Sequence, residues 1–122
     1  MTTFVLVHGA WGGSYGWTKF AGMLRADGHD VFTPSLTGQG ERNHLGGPNI
    51  GLTTHITDVE NTIKYEDLDK FVLVGHSYGG MVITGLADRL PDQITDQYRQ
   101  RNRSAAPQSR ATQEAICTST SP

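Results

Sequence analysis

Two stretches of this chain are apolar without interruption: Phe4-Val5-Leu6-Val7 and Phe71-Val72-Leu73-Val74. Side chains alternate between the two faces of a strand, so such a run is apolar on both faces. It fits a strand of a parallel sheet covered on both sides. Each run closes on a glycine, Gly9 after His8 in the first case and Gly75 in the second. Between them, Trp17, Phe20 and Leu24, with Met23, follow helical spacing, and Gly28 supplies a stop. Asp30-Val31-Phe32-Thr33-Pro34 reads as a short strand ended by its proline. Residues 35–52 read as one long loop, and loops of that length in compact domains are commonly functional. Thr53 or Thr54 can cap a helix that carries Ile56, Val59 and Ile63 on one face and ends near Glu66. After the second run, Gly79 to Leu90 reads as a helix with Met81, Val82, Leu86 and Leu90 available for packing and Pro91 as its stop. The order β-α-β-α-β-α implies a parallel sheet with flanking helices.

Composition narrows the function. The 122 residues carry a net charge of -2, which lacks the basic footprint of a nucleic-acid binder. The single cysteine, Cys117, excludes a disulfide framework and a cysteine-based zinc site. Met1-Thr2-Thr3-Phe4-Val5 has no positive n-region, and no apolar run is long enough to span a bilayer. No membrane partner and a cytoplasmic location are therefore expected. The average hides a split. All 15 glycines lie between Gly9 and Gly85, and from residue 95 onward Ile116 is the sole member of the set Leu, Ile, Val, Phe, Met and Trp. Residues 1–94 are expected to form the folded part and residues 95–122 a polar, disordered tail.

The chemistry is carried by Gly75-His76-Ser77-Tyr78-Gly79, a G-x-S-x-G motif directly after an apolar strand and directly before a helix. A serine on a sharp strand-to-helix turn is held in strained backbone, with small residues needed two positions either side. Its hydroxyl projects over the carboxyl edge of the sheet, where the N-terminus of the next helix points N–H groups. Gly80 lets that helix approach the sheet closely. His8-Gly9-Ala10-Trp11 also follows a strand. In a parallel sheet both strand ends lie on one edge, so the two loops can meet. An N–H of Ala10 or Trp11 would then join that of Tyr78 as an oxyanion donor. His8 is read as structural, bonded to loop backbone and holding the turn.

Taken together, Val7-His8-Gly9-Ala10-Trp11 and Gly75-His76-Ser77-Tyr78-Gly79-Gly80-Met81-Val82-Ile83 resemble the α/β-hydrolase superfamily. The branch is the esterase group similar to plant methylesterases and hydroxynitrile lyases. Leu36-Thr37-Gly38-Gln39-Gly40-Glu41-Arg42, with Thr54-His55-Ile56 and Asp58-Val59, is similar to bacterial members. The resemblance covers about residues 3–94. It implies an α/β fold that is a partial α/β-hydrolase, ending after the helix that follows the motif. It implies Ser77 as nucleophile, the N–H groups of Ala10 and Tyr78 as oxyanion hole, and Trp11, Tyr78 and Met81 as pocket residues, each of which core packing would also explain. A small-molecule ester is the implied substrate, and no cofactor or metal is required. Nothing in the pattern sets an oligomeric state.

The superfamily's triad runs Ser, then Asp or Glu, then His along the chain. Here His8, His29, His44, His55 and His76 all precede Ser77. His29 is expected on the opposite edge of the sheet and the His76 side chain to diverge from Ser77, which leaves His8 and His44 able to approach the mouth. Asp88, Asp92, Asp96 and Glu114 are the carboxylates that follow Ser77, and none is expected after a strand. With no strand expected beyond Ile94, the run at 71–74 would lack its next neighbour. These departures suggest a shifted reading frame or early end of a longer hydrolase gene. The expected function is a carboxylic ester hydrolase impaired by a missing acid and base. The alternatives are a non-catalytic remnant and a binding module that depends on a partner. A nucleotide-binding domain is disfavoured, because Gly38-Gln39-Gly40 lacks the third glycine of the dinucleotide fingerprint and no phosphate-loop motif is present.

Overall fold

The structure, a computed structural model, describes residues 1–100. The apolar runs become the two central strands, β1 (Thr3–Val7) and β3 (Phe71–His76). They pair in parallel, with Phe4 opposite Val72 and Val7 opposite Gly75. Alternation then sorts their side chains. Val5, Val7, Phe71 and Leu73 enter one core, and Leu6, Val72 and Val74 enter the other. Both faces need apolar residues because both are covered.

The first core is closed by α2 (Leu52–Tyr65) and α3 (Tyr78–Arg89), through Ile56, Val59, Ile63, Val82, Ile83 and Leu86. The second is closed by α1 (Thr18–Ala26) together with Trp17 and Ala21. The strand β2 (Asp30–Phe32) pairs with β1 on its free side. Two short 3-10 turns also form, Ser14–Trp17 directly before α1, taking in Trp17, which the sequence spacing assigns to the helix, and Gly40–Leu45 within the segment expected to be plain loop. The start of α2 also differs slightly from expectation. Gly51 precedes the helix, and Thr54 Oγ1 accepts the Gly51 N–H at 3.4 Å rather than capping from the first position.

One expectation fails outright. β3 does not lack a neighbour on its outer side, because Ile94–Gln100 forms β4, parallel to β3, with Val74 opposite Tyr98 and His76 opposite Gln100. The sheet order is β2-β1-β3-β4. The strand was illegible because Asp96, Gln97 and Arg99 give it no aliphatic alternation. Backbone pairing to β3 holds it, Ile94 packs against the α2–α3 core and Tyr98 against the α1-side core. The shift in register between Phe71 and Val72 marks an extra residue in β4, Thr95, whose hydroxyl donates to Phe71 C=O at 3.1 Å. The rest of the expected tail, residues 101–122, lies outside the described residues. Among the described residues no helix is long and apolar enough to cross a membrane.

This strand order fixes where a site can form. From β1 the chain goes outward to β2 on one side, then returns to β3 on the other. The point where the order reverses lies between β1 and β3. In open parallel sheets, ligands bind beyond the carboxyl ends of the strands at that reversal. The loops that follow β1 and β3 are the two that carry the motifs.

Candidate active site

Ser77 joins β3 to α3 and has φ 55 and ψ -116. Positive φ is unfavourable for a residue with a Cβ, and this ψ also lies outside the left-handed helical basin. The conformation persists because its surroundings leave no alternative. A Cβ at Gly75 would lie 2.6 Å from Gly79 C=O, and one at Gly79 would collide with Val7 C=O and come within 2.8 Å of His8 C=O. The bare backbone at these positions lets α3 start directly over the ends of β1 and β3. Gly80 faces the aliphatic stem of Arg99, the nearest atom being 3.4 Å from a Cβ placed there. Gly80 N–H turns back to Ser77 C=O at 2.9 Å. Tyr78 opens the helix, where an N–H has no intrahelical partner.

The loop after β1 reaches the same point. Gly12 N–H donates to Gly9 C=O at 3.1 Å, closing a four-residue turn in which Trp11 takes φ 65. A Cβ at Gly9 would lie 3.2 Å from His76 C=O and 3.3 Å from the Ser77 Cβ. The loop bearing Ala10 is thus seated against the serine. Trp11 and Met81 are 92 % and 57 % exposed, so neither belongs to a core. Tyr78 instead packs against the α2–α3 core.

His8 is 3 % exposed and its ring is fully used. Leu36 N–H donates to Nε2 at 2.9 Å, so Nε2 carries the lone pair and Nδ1 the proton, which faces Gly9 C=O at 2.7 Å. Burial lowers the imidazole pKa below its ordinary value and keeps it neutral. The side chain ties the glycine turn to the start of the long loop.

The other histidines are also placed. His29 Nδ1 accepts the Thr2 N–H at 3.0 Å, at the amino edge of the sheet. His76 stacks edge-on with Trp17 at 6.5 Å on the α1 side. His44 is exposed on the 3-10 turn of the long loop.

His55 carries no role in the sequence reading beyond its place in a stretch similar to bacterial relatives. It is 5 % exposed, on α2. Thr37 C=O can only accept, and it lies 2.9 Å from Nε2, which therefore carries the proton. Nδ1 then accepts the Tyr78 hydroxyl at 2.7 Å. Thr37 in turn donates its N–H and its hydroxyl to the two oxygens of Asp58, at 2.6 and 2.7 Å. A histidine four residues before Val59, on the buried face of an amphipathic helix, was the signal that could have flagged it.

The long loop is pinned by polar contacts. Ser35 Oγ accepts the Ser14 N–H at 2.8 Å and donates to Glu41 at 2.7 Å. That donation is the main reason the Glu41 carboxyl titrates below its ordinary value. A groove of about 480 Å³, lined by Glu60, Lys64, Asp67, Leu68, Leu90 and Gln93, opens at the opposite edge of the sheet, away from Ser77.

A strained serine between a parallel strand and a helix, at the reversal point of the sheet, defines the class. The chain belongs to the alpha/beta hydrolase family, whose sequence model matches residues 4–112. Among curated proteins it is similar to a carbendazim hydrolyzing esterase of Nocardioides sp. (strain SG-4G), at 56 % identity over 94 residues, 77 % of this chain and 39 % of the relative. It is also similar to methylesterase 2 of Arabidopsis thaliana, at 35 % identity over 103 residues, 75 % of this chain and 36 % of the relative. Among solved structures, an extracellular alpha/beta-hydrolase from a Paenibacillus species superimposes with a TM-score of 0.76 at 35 % identity, covering 88 % of this chain and 42 % of the other. The chain thus spans about two fifths of the length of these relatives.

Proposed function

We propose that this chain carries the nucleophile and oxyanion-hole part of a carboxylic ester hydrolase acting on small-molecule esters. The observation that carries the reading is the strained Ser77 backbone, with the glycine turn of β1 seated against it. In this reading Ser77 Oγ attacks the ester carbonyl carbon and its proton passes to a general base. The N–H groups of Ala10 and Tyr78 hold the oxyanion, and the dipole of α3 favours the same charge. Collapse expels the alcohol and leaves an acyl-serine, which water hydrolyses. The similarity to an esterase named for carbendazim and to a methylesterase supports small esters as the substrate class.

The base is the weak point. His8 and His55 have both ring nitrogens committed, His29 lies at the other edge, His76 packs against Trp17 on the α1 side, His44 is exposed on the long loop, and no histidine follows Ser77. Residues 1–100 alone are therefore expected to activate the hydroxyl poorly. An oxyanion hole and binding without the full triad still leave roughly 10³-fold over water.

The test is ester hydrolysis by the purified chain and by Ser77→Ala, with labelling by a fluorophosphonate as a second readout. Serine-dependent turnover and labelling support the reading. Equal rates in both proteins, with no labelling, overturn it in favour of a non-catalytic binding role.

A further inference from the structure

We infer that His55 is a positioning residue, which holds the first turn of α3, and so the Tyr78 N–H, through the hydrogen-bonded chain Asp58–Thr37–His55–Tyr78. The inference rests on the reading of Tyr78 N–H as an oxyanion donor. Tyr78 immediately follows the strained serine, and two points fix where its N–H points. One is the turn itself, closed by Gly80 N–H to Ser77 C=O. The other is the far end of its side chain, where the hydroxyl meets His55 Nδ1 at 2.7 Å and the two rings pack edge to face at 5.5 Å and 85°.

With the imidazole neutral, donor and acceptor chemistry fixes the direction of every bond in this chain. Asp58 can only accept, so Thr37 donates to it twice. Thr37 C=O can only accept, so His55 Nε2 donates. The remaining nitrogen must accept, so Tyr78 donates its hydroxyl proton. The ring cannot flip without losing both of its partners. The chain links the long loop, α2 and the start of α3; α2 and α3 also meet through the apolar core and, at the far end of α3, through Arg89 on Thr57 and Glu60.

Burial gives a second argument. The buried face of α2 otherwise presents Ile56, Val59 and Ile63. An imidazole among them gives up hydration that an aliphatic side chain would not. What the histidine returns is directional, a fixed orientation for a neighbour that is itself only partly buried. That neighbour is the one residue of α3 whose N–H the proposed chemistry uses.

The experiment measures backbone ¹⁵N order parameters in the full chain for wild type, H55Q, Y78F and the double variant, together with the rate at which a fluorophosphonate labels Ser77. The expected result is a local loss of order at the amide of position 78, from about 0.85 toward about 0.6, in both single variants. The double variant should add nothing, because both changes remove one link. Labelling should slow by about 10- to 100-fold in the same proteins, as expected for a displaced oxyanion donor. An unchanged order parameter at position 78, or equal loosening throughout α3 and β3, overturns the inference. If wild type labels no faster than Ser77→Ala, the ester-hydrolase reading fails, and the order parameters still decide whether His55 positions the turn. If H55Q does not fold, Y78F alone decides, since it removes a single partly exposed hydroxyl.

Discussion

Replacing Ser77 with glycine should stabilise this protein relative to replacing it with alanine, although both remove the nucleophile. The backbone at Ser77 sits at φ 55 and ψ -116, where a Cβ is penalised by about 1–3 kcal/mol. Alanine keeps that Cβ and glycine removes it. Against this gain stands the greater freedom of glycine in the unfolded chain, about 0.5–1 kcal/mol. No other term separates the two variants strongly. Ser77 stands at the N-cap of α3 but makes no side-chain capping bond, so neither substitution loses one. The balance favours glycine by about 1 kcal/mol, which raises Tm by roughly 3–6 °C in a chain of this size. Thermal unfolding of S77A and S77G under identical conditions measures the difference directly. A Tm for S77G equal to or below that of S77A would show that the turn stores no strain at this residue. The argument that the fold holds its serine in place against a local preference would then fail.

Other outcomes follow from the same geometry. Gly79→Ala drives a Cβ into the carbonyl oxygens of Val7 and His8, which β1 cannot move, so it should cost about 3 kcal/mol or more in urea unfolding. The control is Gly22→Ala in α1, where nothing lies within 4 Å of the added Cβ; it should stabilise by about 0.5–1 kcal/mol. His8 is held neutral by burial, with its folded pKa below the unfolded value. Below about pH 6.5 the unfolded state therefore binds a proton that the folded state does not, and stability falls as pH drops toward the folded pKa. The slope from this one group is at most about 1.4 kcal/mol per pH unit, and His8→Gln should remove its contribution from a series of urea titrations. An unchanged slope in that variant would place the acid sensitivity elsewhere.

The relation between sequence and structure is uneven, and the reasons are physical. Phe4-Val5-Leu6-Val7 and Phe71-Val72-Leu73-Val74 were legible as buried strands because burial on both faces leaves no other role for such runs. α2 was legible because Ile56, Val59 and Ile63 keep helical spacing. The turn around Ser77 was legible because its glycines are demanded by local sterics, and local sterics are written in neighbouring residues. β4 was not legible. Its ladder bonds to β3 do not depend on side-chain type, and Asp96, Gln97 and Arg99 concealed it around Ile94 and Tyr98, which alone among its described residues pack on the two cores.

By itself, the sequence determined a parallel sheet flanked by helices and a serine on a strained turn at one edge. Tertiary structure alone decided the order β2-β1-β3-β4, because the choice of neighbour is made by strands far apart in the chain. That order brings the Gly9 turn against Ser77. It also decided what the histidines do. A histidine can be base, acid or scaffold, and its role depends on which groups meet its two nitrogens. Leu36 and Gly9 commit His8, and Thr37 and Tyr78 commit His55. Those partners lie up to 28 residues away in the chain and are brought together by packing, which no local pattern in the sequence records.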